Sequence, residues 1–95
     1  MNDAKQIIEL GLGSIGKIRI MRALAEENKM ATIYLLHKKT RLKRDHIKTN
    51  LDDLIRIGWV TRRVAPNPMY AFNHENPYAS RLIEFFKETG YIGQP

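Results

Sequence analysis

The run from Lys43 to Phe72 constrains the fold of this chain more than any other. Ile47, Leu51, Leu54 and Ile55, with Leu42 just before them, recur at three- and four-residue spacing and make one apolar stripe on a helix over 43–57. Gly58 follows as its stop, because helices commonly end on a left-handed residue that glycine adopts without a side-chain clash. WVTRRVA and MYAFN are then two β-rich runs separated by Pro66-Asn67-Pro68, a pattern that reads as a hairpin.

Upstream, Ser14 has the hydroxyl of an N-cap. Behind it Ile15, Ile18, Met21, Ala23, Leu24 and Ala25 form the apolar side of a helix, with Lys17, Arg19, Arg22 and Glu26 mostly opposite. NKMA breaks that helix. Thr32 caps a short segment, IYLLHKK, whose Ile33, Leu35 and Leu36 suit either a helix or a buried strand, since a short apolar run fixes no period. Downstream, Asn76 caps and Pro77 opens a last helix closed by Gly90. The first segment, Asp3 to Leu10, is compatible with a short helix or an extended arm, and IGQP is a tail.

With 95 residues there is chain for one domain and one modest core. The 43% hydrophobic and 27% charged residues are the balance of a globular domain rather than a disordered one. Absence of cysteine excludes disulfides and thiolate metal sites. His37, His46 and His74 are spaced without metal-ligand logic, so neither a metal nor a cofactor is expected. No apolar run approaches the roughly 20 residues that span a bilayer, and MNDAKQII lacks the layout of a secretion signal, so a cytoplasmic protein without membrane contact is expected.

The net charge is +6, and its distribution is uneven. Between His37 and Lys48, the six cations Lys38, Lys39, Arg41, Lys43, Arg44 and Lys48 face the single acid Asp45, so +5 of the total lies in one short stretch. A local basic excess of this kind implies an anionic partner.

GLGSIG, Gly11 to Gly16, matches the glycine pattern that cradles a dinucleotide pyrophosphate. The strand before it would be KQIIEL, with Gln6 and Glu9 where a central parallel strand is apolar. The chain is also too short for two βαβαβ halves. The plainer reading is a turn at Gly11 and Gly13, with Gly16 in the first turn of the following helix. Whether Thr32 to Leu36 is strand or helix decides between the two.

From Ser14 to Lys87 the order helix, helix, helix, hairpin, helix resembles the winged helix-turn-helix domains of prokaryotic transcriptional regulators, especially archaeal proteins similar to the ArsR group. GSIGKIRIMRALAE looks like their first helix. IYLLHKKTRLKRDHIKTNLDDLIRIGWV looks like their helix, turn, recognition helix and start of the wing, and YAFN like the closing wing strand. LDDLIRIGWV, Leu51 to Val60, carries the resemblance most clearly. Lys43 stands where that family often has a serine cap, and no cysteine or matching His/Asp set appears, so metal sensing is not implied.

The resemblance implies a mainly α fold with a small β-hairpin: a three-helix core, a two-stranded wing and a C-terminal helix, spanning 1–95 as one DNA-binding domain. It implies a regulator that binds double-stranded DNA, without catalytic residues. With Ile47 as the inward reference and 100° per residue, Asp45, His46, Thr49 and Asp52 project outward and Lys48 lies at the margin. Arg44, Lys48 and Thr49 are expected to face the major groove, Arg44 or Lys48 suited to guanine O6/N7. Asp45 can accept from cytosine N4 or cap the helix start. Lys38, Lys39 and Arg41 are expected on the phosphate backbone, and Lys43 crowns the N-terminal end of the helix beside Arg44. In the wing, one of the neighbours Arg62 and Arg63, and Asn67 at the tip, are further candidates.

The last helix carries more apolar residues than one seam needs. Leu82, Phe85, Phe86 and Tyr91 within 77–92 are therefore expected at a homodimer interface. A winged-helix module that binds proteins instead of DNA is the alternative of another class.

Overall fold

The computed structural model describes Glu9, residues 12–27 and residues 29–93. The first segment from Asp3 to Leu10, apart from Glu9, lies outside the described residues, as do Gly11 of the glycine pattern, Asn28 of the NKMA break and Gln94 and Pro95 of the tail.

Helix α1 covers Ile15–Glu26, and Ser14 Oγ accepts from Lys17 N at 3.2 Å, satisfying one of the free first-turn donors. Thr32 does the same for Leu35 N at 3.1 Å and opens α2, Ile33–Thr40. The ambiguous run Ile33 to Leu36 is thus helical, and the second strand of a nucleotide-binding βαβ unit does not exist. Helix α3 covers Arg44–Arg56. Its stop is built as the sequence indicates: Gly58 has φ +80°, and the N–H groups of Gly58 and Trp59 donate to the carbonyls of Ile55 and Leu54, both at 3.0 Å.

Strands β1, Val60–Arg63, and β2, Met69–Phe72, pair antiparallel with Val60 opposite Phe72 and Arg63 opposite Met69. On the other edge of β2, Tyr70 exchanges two backbone hydrogen bonds with Ala31, at 2.7 and 2.8 Å. The chain just before α2 thereby anchors the hairpin to the helices. Helix α4 covers Pro77–Glu88, with Asn76 Oδ1 accepting from Tyr78 N and Ala79 N. It ends at Glu88, ahead of the expected stop Gly90, which at φ +80° turns the chain back; Ile92 N–H then donates to Phe86 O at 3.2 Å, which returns the Ile92 side chain to the core.

One core fills the space between these elements. Ile20, Met21 and Leu24 of α1, Leu36 of α2, and Ile47, Leu51 and Leu54 of α3 are buried together, and Trp59, Val60, Tyr70 and Phe72 pack the hairpin onto them. Burial of each such side chain stabilises by about 1.5–3 kcal/mol, which is why α3 keeps its apolar stripe inward while its other side stays free for a partner.

Candidate nucleic-acid interface

The turn between α2 and α3 is tightly specified. Thr40 is buried; its hydroxyl donates to Leu36 O at 2.7 Å and accepts from Leu42 N at 3.2 Å. His37 Nδ1 lies 2.7 Å from Leu42 O, and since a carbonyl only accepts, the ring donates. Arg41 holds the left-handed conformation, φ 63°, that lets the chain reverse. Leu42 packs inward against the core, so Arg41 and Lys43 on either side of it are exposed.

Beyond the turn, α3 separates two faces. Ile47, Leu51 and Leu54 are sealed in the core, whereas Arg44, Asp45, His46, Lys48, Thr49 and Asp52 are exposed. Lys43 occupies the cap position but makes no side-chain cap bond, and Asp45 supplies the only acid of the first turn, where the helix dipole favours negative charge. The Thr49 hydroxyl donates to Asp45 O at 3.0 Å, so its hydrogen is committed to the helix and it offers a methyl group and oxygen lone pairs outward.

The first turn of α1 lies beside α3 at Asn50. A Cβ on Gly16 would stand 2.7 Å from Asn50 Nδ2, the end of a side chain that can swing aside. Lys17 Nζ meets Asp53 Oδ2 at 2.8 Å nearby. Gly16 of the glycine motif thus lies in the first turn of α1, beside α3.

The two cations on α2 differ. Lys38 is exposed, with its Nζ 5.4 Å from the centre of the Tyr34 ring, while Lys39 Nζ pairs with Glu27 Oε1 at 2.7 Å. Arg44 Cζ also approaches the Tyr34 ring, at 5.7 Å. In the wing, Arg62 lies opposite Tyr70 and Arg63 opposite Met69; both arginines are exposed, and Arg63 Nη2 lies 2.9 Å from Met69 Sδ. Asn67 is exposed at the tip.

Two features escaped the sequence reading. Tyr34 is 55% exposed and gathers Lys38 and Arg44. Its spacing of four from Lys38 was visible; its meeting with Arg44 across the turn was not. The second is a cleft of about 780 Å³ lined by Arg19, Arg22 and Glu26 of α1 together with Lys39 and Arg41.

A separate apolar groove of about 490 Å³ runs between α1 and α4. Leu12, Ile15 and Phe85 are its exposed parts, Ile15 at 67% and Phe85 at 58%, with Ile18, Leu82 and Tyr91 completing the walls. Phe86, expected at an interface, is only 4% exposed and belongs to the chain's own core, where Tyr91 meets it edge to face at 5.0 Å. Its position one residue after Phe85 on the helix turns it inward. Among the described residues, no group of three or more His, Cys, Asp or Glu is placed to hold a metal, and no helix is long and apolar enough to cross a membrane.

No family model matches the sequence, and no curated protein matches it. Among solved structures, the fold is similar to that of a MarR family transcriptional regulator from Silicibacter pomeroyi DSS, with a TM-score of 0.67 and 12% identity, covering 90% of this chain and 59% of that one. At that identity the likeness establishes the fold: mainly α, with a small hairpin, in the winged helix-turn-helix arrangement. The chain spans 59% of the length of that neighbour.

Proposed function

We propose that this chain binds double-stranded DNA as a transcriptional regulator, with α3 in the major groove, and that it is not an enzyme. The carrying observation is the pairing of a sealed apolar stripe on α3 with an exposed opposite face whose N-terminal end gathers Lys38, Arg41, Lys43, Arg44 and Lys48. A helix fits the major groove of B-DNA, and cations around its N-terminal end reach phosphates while its outer side chains reach base edges. Arg62 or Arg63 and Asn67 extend the contact along the wing. The solved neighbour is described as a transcriptional regulator, which supports the same reading. The nearer resemblance to the archaeal ArsR group rests on Leu51 to Val60 and its flanking stretches. Such a regulator works in the cytoplasm, where its duplex is.

The apolar groove favours a homodimer. Phe85 and Ile15 are large apolar side chains left in water side by side, and a second copy seated there removes both from solvent. A two-fold dimer sets two α3 helices about 34 Å apart, on successive major grooves of a palindromic site.

The test is a titration of a mixed-sequence duplex at several salt concentrations. With roughly six phosphate contacts per subunit, log K falls with log salt at a slope near −5. Binding that is indifferent to salt between about 50 and 200 mM, or absent at low salt while the chain is folded, contradicts the proposal and favours a protein-binding module.

A further inference from the structure

We propose that Tyr34, Lys38 and Arg44 together form a phosphate-backbone site across the α2–α3 turn, with Tyr34 as the positioning residue, so that base reading on α3 falls to Lys48 rather than to Arg44. This rests on the DNA-binding reading above and assigns roles within it.

Tyr34 sits in the first turn of α2 with over half its surface in water, beside buried or half-buried Ile33, Leu35 and Leu36. Its ring lies 5.4 Å from Lys38 Nζ, one turn along the same helix, and 5.7 Å from Arg44 Cζ, the first residue of the next. Neither cation has a carboxylate partner among the described residues, in contrast to Lys39 with Glu27. The negative face of an aromatic ring attracts cations at this range. One ring therefore holds two unneutralised positive charges on the same side of the turn.

That arrangement decides what Arg44 can do. An arginine reads guanine by aiming both guanidinium edges at O6 and N7 from the part of the helix that enters the groove. Arg44 lies only about 60° around α3 from the inward Ile47, whereas Lys48 and Thr49 lie about 100° and 160° away. Its guanidinium reaches back toward α2, to the rim where a groove-bound helix meets the sugar-phosphate strand. A pair of cations with a phenol hydroxyl beside them suits phosphate oxygens, which carry no sequence information. Lys48, farther round and free of the ring, is left facing the base edges.

The experiment selects preferred duplexes from a random pool with the wild-type protein. It then measures Tyr34→Leu, Tyr34→Phe, Lys38→Ala, Arg44→Ala and Lys48→Ala on a preferred and a scrambled duplex across a salt series, with thermal melts of each variant. Lys38→Ala and Arg44→Ala are expected to weaken both duplexes by the same factor and to make the salt slope shallower by about 1 each. Tyr34→Leu is expected to weaken both about three- to fivefold with the slope unchanged, since the charges remain but are no longer held, and Tyr34→Phe to restore most of the loss. Lys48→Ala is expected to relax the preference at one base pair.

A loss of base preference in Arg44→Ala, unequal between the two duplexes, overturns the assignment, and so does a Tyr34→Leu protein that binds as the wild type does. A wild-type protein that binds no duplex at all overturns the DNA-binding reading itself, and is told apart in the first titration.

Discussion

Lys17 Nζ lies 2.8 Å from Asp53 Oδ2, and this ion pair, with side chains 10% and 22% exposed, ties the first turn of α1 to the last turns of α3. Arg56 Nη2 stands 3.9 Å from the other carboxylate oxygen. Together with the close approach at Gly16, the pair fixes how α3 lies on the rest of the molecule, and so how its outer face is presented.

Breaking that pair from one side leaves a poorly solvated charge. Lys17→Met is expected to destabilise the chain by about 2 kcal/mol, less than a fully buried pair costs because Asp53 keeps some water and Arg56. The double variant Lys17→Met, Asp53→Leu is expected to recover much of the loss. Urea denaturation of the four proteins of this cycle measures it, and a double-variant loss equal to the sum of the two single losses would show the pair to be idle.

Arg41 occupies a backbone conformation that disfavours a side chain. Arg41→Gly is expected to stabilise the fold by up to about 1 kcal/mol while weakening duplex binding through loss of a cation. Opposite signs in a melting curve and a binding titration are the signature. A variant that loses stability would mean that the arginine side chain contributes more to the turn than its backbone strain costs.

Gly16 separates the packing and cofactor explanations of GLGSIG. The neighbour that an added Cβ meets is the end of the Asn50 side chain, which can swing aside, so Gly16→Ala is expected to change stability by less than about 1 kcal/mol. Gly16→Leu is expected to cost about 1–3 kcal/mol by overpacking. Dinucleotides are expected to leave the melting temperature of the wild-type protein unchanged; a rise that saturates with ligand would restore the cofactor reading.

Phe85 tests the apolar groove. Phe85→Glu places a charge at the centre of the face expected to meet a second copy, without disturbing the core, since Phe86 beside it carries the inward contact. Sedimentation at micromolar concentration is expected to give a dimer for the wild type and a single chain for the variant. A wild-type mass of one chain contradicts the dimer.

The helix α3 and its stop were legible because period and punctuation agreed: Ile47, Leu51 and Leu54 mark one face and Gly58 supplies the left-handed residue. Ile33 to Leu36 was not legible, since its apolar run is too short to carry a period. What settles it is the Thr32 cap and the pairing of Ala31 with Tyr70, a contact made far along the chain. Gly90 as the stop of α4 was legible in the same way, whereas the return of Ile92 to the core beyond it was not. Of the candidate interface, the charge cluster was plain in composition. The Lys39–Glu27 pair and the meeting of Arg44 with Tyr34 were hidden, because each joins segments that only folding brings together.

The central claim is that the cationic turn and the outer face of α3 are what the chain presents to a duplex. Amide chemical-shift mapping by NMR, with a selected duplex added to the isotopically labelled protein, tests it most directly. The largest shifts are expected from Arg41 to Asp52, with a second set at Arg62 to Asn67 and none centred on the groove of Leu12, Ile15 and Phe85. Shifts concentrated on that groove or on α4, with α3 undisturbed, would contradict it.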